Sequence, residues 1–264
     1  MKVADTNLLD LLQARSGLVC AIGAGGKKTT LYRLLTLHPG RVALTSTVFI
    51  PPFPKQLQVA VIRERPEKLL PALREAAATQ RCVAYTLLSS KRGRFEGVSA
   101  AQVREIHNQL GFDVTFIKAD GARARLIKAP AEGEPELPED ATTILPIVSA
   151  RAINAPLSER IAHRVEQIER VTGARAGDPL TPTHIARLLA SEEGLLKGVG
   201  GAKVVPVINM VEDTEHKALA HDAAQRALQL TTRFEYIVLA CMRAANPIVG
   251  VVRRTDPSAS PETT

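Results

Sequence analysis

The residues best equipped for chemistry in this 264-residue chain stand together near its start: Gly23, Ala24, Gly25, Gly26, Lys27, Lys28, Thr29 and Thr30. Glycines allow backbone N–H groups to turn inward around an anion. A lysine at such a turn supplies a point charge, and a threonine hydroxyl can hold Mg²⁺. The flanks are those a phosphate cradle needs. Residues 18–22 form an apolar run that predicts a short buried strand. Leu31, Tyr32, Leu34 and Leu35 begin a helical pattern. The helix start adds unpaired N–H groups and a partial positive charge.

The loop is shorter than G-x-x-x-x-G-K-[ST], and two registers are open. In one, Lys27 follows Gly26 as the phosphate lysine and Lys28 takes the Ser/Thr position. In the other, Lys28 is the phosphate lysine, Thr29 follows it, and Lys27 replaces the glycine. The second register resembles the compact K-G-G-x-G-K-T-T loops of MinD-like and ParA-like ATPases.

Two further strand ends carry suitable groups. Val114, Phe116 and Ile117 predict a strand ending at Asp120-Gly121, the Walker B arrangement in which an acid holds the water shell of magnesium. Arg123, Arg125 and Lys128 follow, either to clamp phosphate or an acidic substrate or to pair with Glu132, Glu134 and Glu136. A strand at 203–210 leads into Asn209-Met210-Val211-Glu212-Asp213, which resembles the N-K-x-D base-reading element with Met210 in place of Lys. The alternative there is a helix start capped by Asp213 or Thr214. Thr45, Ser46 and Thr47, near the end of a strand at 41–49, are candidate contacts to magnesium or phosphate, or plain strand residues. The site expected is therefore Lys28 and Asp120 as catalytic groups, and Thr29 and Asp120 on Mg²⁺. Gly23, Ala24, Gly25, Gly26, Lys27, Lys28, Thr29, Thr30, Arg123 and Asn209 are expected around ATP or GTP.

The rest of the chain supplies the elements that position these residues. Further strands are predicted at 58–62, 81–88, 141–148, 236–241 and 248–252. Helices are predicted at 66–77, 99–110, 157–170, 183–190 (with 191–197 as an extension) and 214–230. This alternation predicts an α/β fold: a three-layer, P-loop NTPase-like domain over 1–254 with a mainly parallel sheet. A small helical insertion is expected at about 150–200, an amphipathic helix at the N-terminus, and a disordered tail at 255–264.

Composition narrows the function classes. The net charge is +7, but the basic residues are spread along helices without aromatic stacking partners, which argues against nucleic acid and for anionic ligands. The three cysteines are far apart in apolar runs and read as buried thiols of a reducing cytosol. The six histidines do not cluster, and no serine nucleophile elbow occurs. No apolar run reaches the length of a membrane span, and the acidic N-terminus is unlike a signal peptide, so a cytoplasmic protein with no membrane partner is expected.

Two stretches taken together resemble the YqeC family, described as accessory proteins of selenium-dependent molybdenum hydroxylases: I-G-A-G-G-K-K-T-T at 22–30 and A-D-G-A-R-A-R-L-I-K-A-P-A-E-G-E-P at 119–135. The chain departs from the family in carrying Lys118 where an acid is expected, and two lysines before the threonines. The resemblance implies a P-loop NTPase-like fold and a role in maturing a selenium-dependent molybdenum hydroxylase or its cofactor. Two functions are compatible with that: a nucleotide-binding, Mg-NTP-hydrolysing accessory protein, or a non-hydrolysing carrier of a phosphorylated, molybdopterin-type cofactor.

Overall fold

The computed structural model describes residues 8–254. The tail and residues 1–7 of the expected N-terminal helix lie outside that range; of the remainder, residues 8–11 are helical and 12–13 form a turn. Among the described residues ten strands form one sheet in the order β12-β11-β10-β7-β1-β5-β2-β4-β3, with β9 pairing to β7. At its centre β1 (Gly17–Gly23) lies between β5 (Val114–Lys118) and β7 (Thr143–Ser149), parallel to both. Outward on one side run β2 (Val42–Ser46), β4 (Cys82–Leu87) and β3 (Ala60–Glu64); on the other run β10 (Val207–Asn209), β11 (Tyr236–Ala240) and β12 (Ile248–Arg253). Among these pairings, only that of β12 with β11 is antiparallel.

A parallel sheet must be covered on both faces, which is why its strands read as unbroken apolar runs. Alternate residues of β1 feed two separate cores. Val19 and Ala21 pack with Leu31, Leu34 and Leu35 of α1 (Lys27–Leu37) and with Leu8, Leu9 and Leu12. Leu18, Cys20 and Ile22 belong to the other core. That core contains the buried faces of α2 (Pro66–Thr79), α3 (Ala100–Leu110), α4 (Val165–Thr172), α5 (Pro182–Ala190) and α6 (Thr214–Leu230). The result is a three-layer, mainly parallel α/β fold of P-loop NTPase-like architecture.

Several elements differ from the sequence expectation. The run 203–210 is split into β9 (Lys203–Val204) and β10, with Pro206, which has no N–H to donate, between them. The helix expected at 157–170 begins only at Val165. Residues before it form β8 (Ala162–His163), which pairs with β6 (Ile127–Lys128), and Arg164 turns the chain through a left-handed conformation (φ 68°). Residues 191–197 are turns rather than an extension of α5, which ends at Ser191 in extended backbone. Cys20 is buried, whereas Cys82 and Cys241 are half-buried.

Candidate functional site

The loop 23–26 leaves the carboxyl end of β1 and enters α1, the place where open α/β sheets bind ligands. Its path requires glycine. Gly25 has φ 85°, and a Cβ there would stand 2.6 Å from the Ser149 nitrogen and 2.8 Å from the Leu126 oxygen. Gly26 is the N-cap of α1 at φ 129°, and a Cβ on it would strike the Asn209 amide. Contrary to the expectation of N–H groups turned inward around an anion, those of the loop are taken by the protein itself: Gly23 N–H donates to Asp120 at 2.9 Å, Ala24 N–H to the Ile147 carbonyl at 2.8 Å and Gly25 N–H to the Arg125 carbonyl at 3.1 Å. Asn209 ties it to the next strands, donating to the Gly25 carbonyl at 2.8 Å and accepting from the Met242 N–H at 3.0 Å.

Helix α1 opens without a side-chain cap and without an acid in its first turn, and its first internal bond runs from Thr30 N–H to the Gly26 carbonyl. The N–H groups of its opening residues therefore have no intrahelical partner. Thr30 is buried, its hydroxyl donating back to the Gly26 carbonyl at 3.2 Å. Thr29 is half-buried and borders a small cleft with Arg151, Asn209 and Glu212.

The two lysines separate sharply. Lys27 is buried and turns under the loop: its ammonium donates to the Gly23 carbonyl and lies 2.8 Å from Asp120 Oδ1. Burial pushes its pKa down, with nearby Lys128 adding to the effect and Asp120 and Glu134 opposing it. Lys28 is half-buried on the same turn. Burial and then the Arg94 guanidinium hold its ammonium below the usual lysine range.

Asp120, one residue past Ala119 at the end of β5, is buried and surrounded by donors. Its Oδ2 accepts from the Gly23 N–H at 2.9 Å and lies 3.1 Å from the Lys128 ammonium. Lys128 is fully buried and also pairs with Glu134 at 2.5 Å, and Glu134 in turn pairs with Arg164. Burial alone would raise the Glu134 pKa, but the bonds from Arg164 and Lys128 outweigh it and hold the carboxyl down to about 2. Lys118 completes the group. It is the last residue of β5, buried, with its ammonium 3.3 Å from the Phe49 carbonyl. Burial, then Lys27, Lys128 and Lys28 against Asp120, lower its pKa to about 7.

Other expected residues take other places. Arg123, expected at the nucleotide, is exposed with φ 45° and contributes to the positive field on His163. The hydroxyls of Thr45, Ser46 and Thr47 are spent on the carbonyls of Tyr85, Lys118 and Glu136, at 2.8 Å each. Glu212 pairs with Arg151, and Asp213 caps α6 by accepting from the His216 N–H at 2.7 Å. Beyond them, at the carboxyl ends of β10 and β11, a cavity of ≈ 410 Å³ is lined by Val211, Asp213, Lys217, Cys241, Ala244 and Val249. Among the described residues no three His, Cys, Asp or Glu side chains converge as a metal-binding group. No helix among them is long and apolar enough to cross a membrane.

Two members of the charge cluster were not expected at the site. A lysine two residues before a strand-end acid shares its side of the strand by alternation, so Lys118 was findable. Arg164 was not: it reaches Glu134 only because β8 pairs with β6, a contact with no local signal.

A glycine turn between a central parallel strand and a helix, with an acid on the neighbouring strand end, defines an α/β protein of P-loop NTPase-like architecture. The chain belongs to the YqeC family: the family model described as YqeC protein matches residues 19–166, which include both the loop and the Asp120 segment. It is also similar to "Uncharacterized protein YqeC" of Escherichia coli (strain K12), 26% identical over 221 residues, covering 82% of this chain and 84% of that one.

Proposed function

We propose that this protein binds the phosphates of a nucleotide, ATP or GTP, at the 23–28 loop and the first turn of α1. The observation that carries the reading is Lys27: a buried ammonium held between the Gly23 carbonyl and Asp120, beneath a helix start that has no cap of its own. Burying a lysine is costly unless it is paired and hydrogen-bonded, and Asp120 and the Gly23 carbonyl hold Lys27 in place. Here the charge stands where a phosphate would meet helix N–H groups. The cavity beyond Asn209 offers room for the organic part of the ligand. An accessory role in maturing a selenium-dependent molybdenum hydroxylase or its cofactor rests on the family resemblance alone.

A second reading is a non-hydrolysing carrier of a phosphorylated, molybdopterin-type cofactor. It is favoured by the state of Asp120. For Mg²⁺ and hydrolysis the expected ligands were Thr29 and Asp120, but both Asp120 oxygens already face lysines. With Lys27 in the phosphate role, Lys28 stands at the hydroxyl position. This donor set does not suit Mg²⁺, which demands oxygen ligands in near-octahedral array, and we derive no step through the metal.

Equilibrium titration of Lys27→Ala and Lys28→Ala with ATP and GTP tests the loop. Lys27→Ala is expected to lose about 10- to 100-fold in affinity, the value of one charge-assisted hydrogen bond, and Lys28→Ala less. Unchanged affinity in both variants would refute the phosphate-loop reading.

A further inference from the structure

The charge around Asp120 does not balance. Lys27, Lys118 and Lys128 are buried within one cluster, and Lys28 and Arg164 stand at its border. The carboxylates facing these five cations are Asp120, Glu134 and Glu136, of which Glu136 is exposed. The N-terminus of α1 adds a further partial positive charge, and Arg94 stands beside Lys28. Lys118 is the cation with the weakest local reason to be there: its ammonium makes a long hydrogen bond, 3.3 Å, to the Phe49 carbonyl and no salt bridge among the described residues. By strand alternation it projects with Phe116 toward the α1 face, under the helix start.

In phosphate loops generally, a divalent cation neutralises the ligand's charge between the loop lysine and an acid. Adding such an ion beside Asp120 here would place two more positive charges among three buried lysines. A metal-free polyphosphate would instead relieve their mutual repulsion.

Resting on the phosphate-site reading above, we propose that the loop takes its ligand as the metal-free anion, with Lys118 supplying beside Lys27 the charge that Mg²⁺ supplies elsewhere. Lys118 is then a specificity-determining residue: it selects the free polyphosphate over its magnesium complex.

Calorimetric titration of the full chain with tripolyphosphate, ATP and GTP tests this, in EDTA and in excess Mg²⁺ at fixed ionic strength. The expected result is binding in EDTA that Mg²⁺ leaves equal or weaker. Lys118→Met should reduce EDTA affinity about 10- to 100-fold, with circular dichroism unchanged, and Lys118→Arg should retain most of it. Binding at least about tenfold tighter with Mg²⁺ would overturn the proposal and leave the phosphate loop standing. Unaltered affinity in Lys118→Met would also overturn it. Absence of binding under both conditions would overturn the phosphate-site reading along with it.

Discussion

Lys118→Met should make the free protein more stable, and the gain should depend on pH. Folding moves the Lys118 ammonium from water to a buried strand end beside Lys27 and Lys128, lowering its pKa from 10.5 to about 7. Each pKa unit corresponds to about 1.4 kcal/mol between the two protonation states, which sets a ceiling of about 5 kcal/mol on the penalty for carrying the charge. Relaxation and water penetration reduce it, and about 2–3 kcal/mol is the expected gain for Lys118→Met at pH 6. Below about pH 7 both folded and unfolded chains hold the proton, so the full penalty applies. Between about 7 and 10.5 the unfolded chain binds the proton and the fold does not, so wild-type stability rises with pH. Urea unfolding at pH 6, 8 and 10 measures the difference. The variant should lead at pH 6 and the gap should close toward pH 10. A variant no more stable at pH 6, or a gap that stays constant, would refute the reasoning.

Two further outcomes follow from the same geometry. Asn209→Ala strips the buried Gly25 carbonyl and Met242 N–H of their partner, a cost of about 2–4 kcal/mol. It should lower the urea midpoint and weaken phosphate binding together, and weakened binding at unchanged stability would contradict a bracing role. Glu134→Gln should lose about 1–2 kcal/mol at pH 7 after allowance for partial exposure. Because the folded carboxyl is held down to about 2, its contribution is complete above about 4.5 and is lost as pH falls toward 2. The wild-type advantage in chemical denaturation should therefore narrow over that window.

The frame of the site was legible because it is local. The run at 18–22, the three glycines after it and the leucine spacing of α1 each encode one element, and β1 and α1 follow them closely. The cap of α3 was equally readable, since Ser99 accepts from the Gln102 N–H three residues on. What failed was non-local or depended on one residue inside a run. Residues 157–164 have helical period, but 162–163 pair with β6 as β8 and the residues before them turn, and Pro206 breaks a valine-rich stretch whose apolar pattern runs through it. The choice between Lys27 and Lys28 was of the same kind. Adjacent helix residues point about a hundred degrees apart, so only the position of Asp120 on a strand far along the chain separates the lysine under the loop from the one beside it.

The cluster beneath that loop also bears on why Lys118 is a lysine. Its strand neighbour Phe116 and the loop residue Phe49 offer apolar or backbone surroundings, in which an uncharged side chain of similar length would stabilise the free fold. Three buried ammonium groups facing so little carboxylate are the opposite of what stability alone favours. Residues held at such a cost collect at binding sites, where a ligand offsets it. The anion implied by that imbalance must carry more than one negative charge and must reach from the first turn of α1 to the end of β5. A terminal phosphate chain meets both requirements. A single carboxylate ligand at the first turn of α1 would leave Lys118 unanswered, and its failure to compete with tripolyphosphate is the outcome this argument requires.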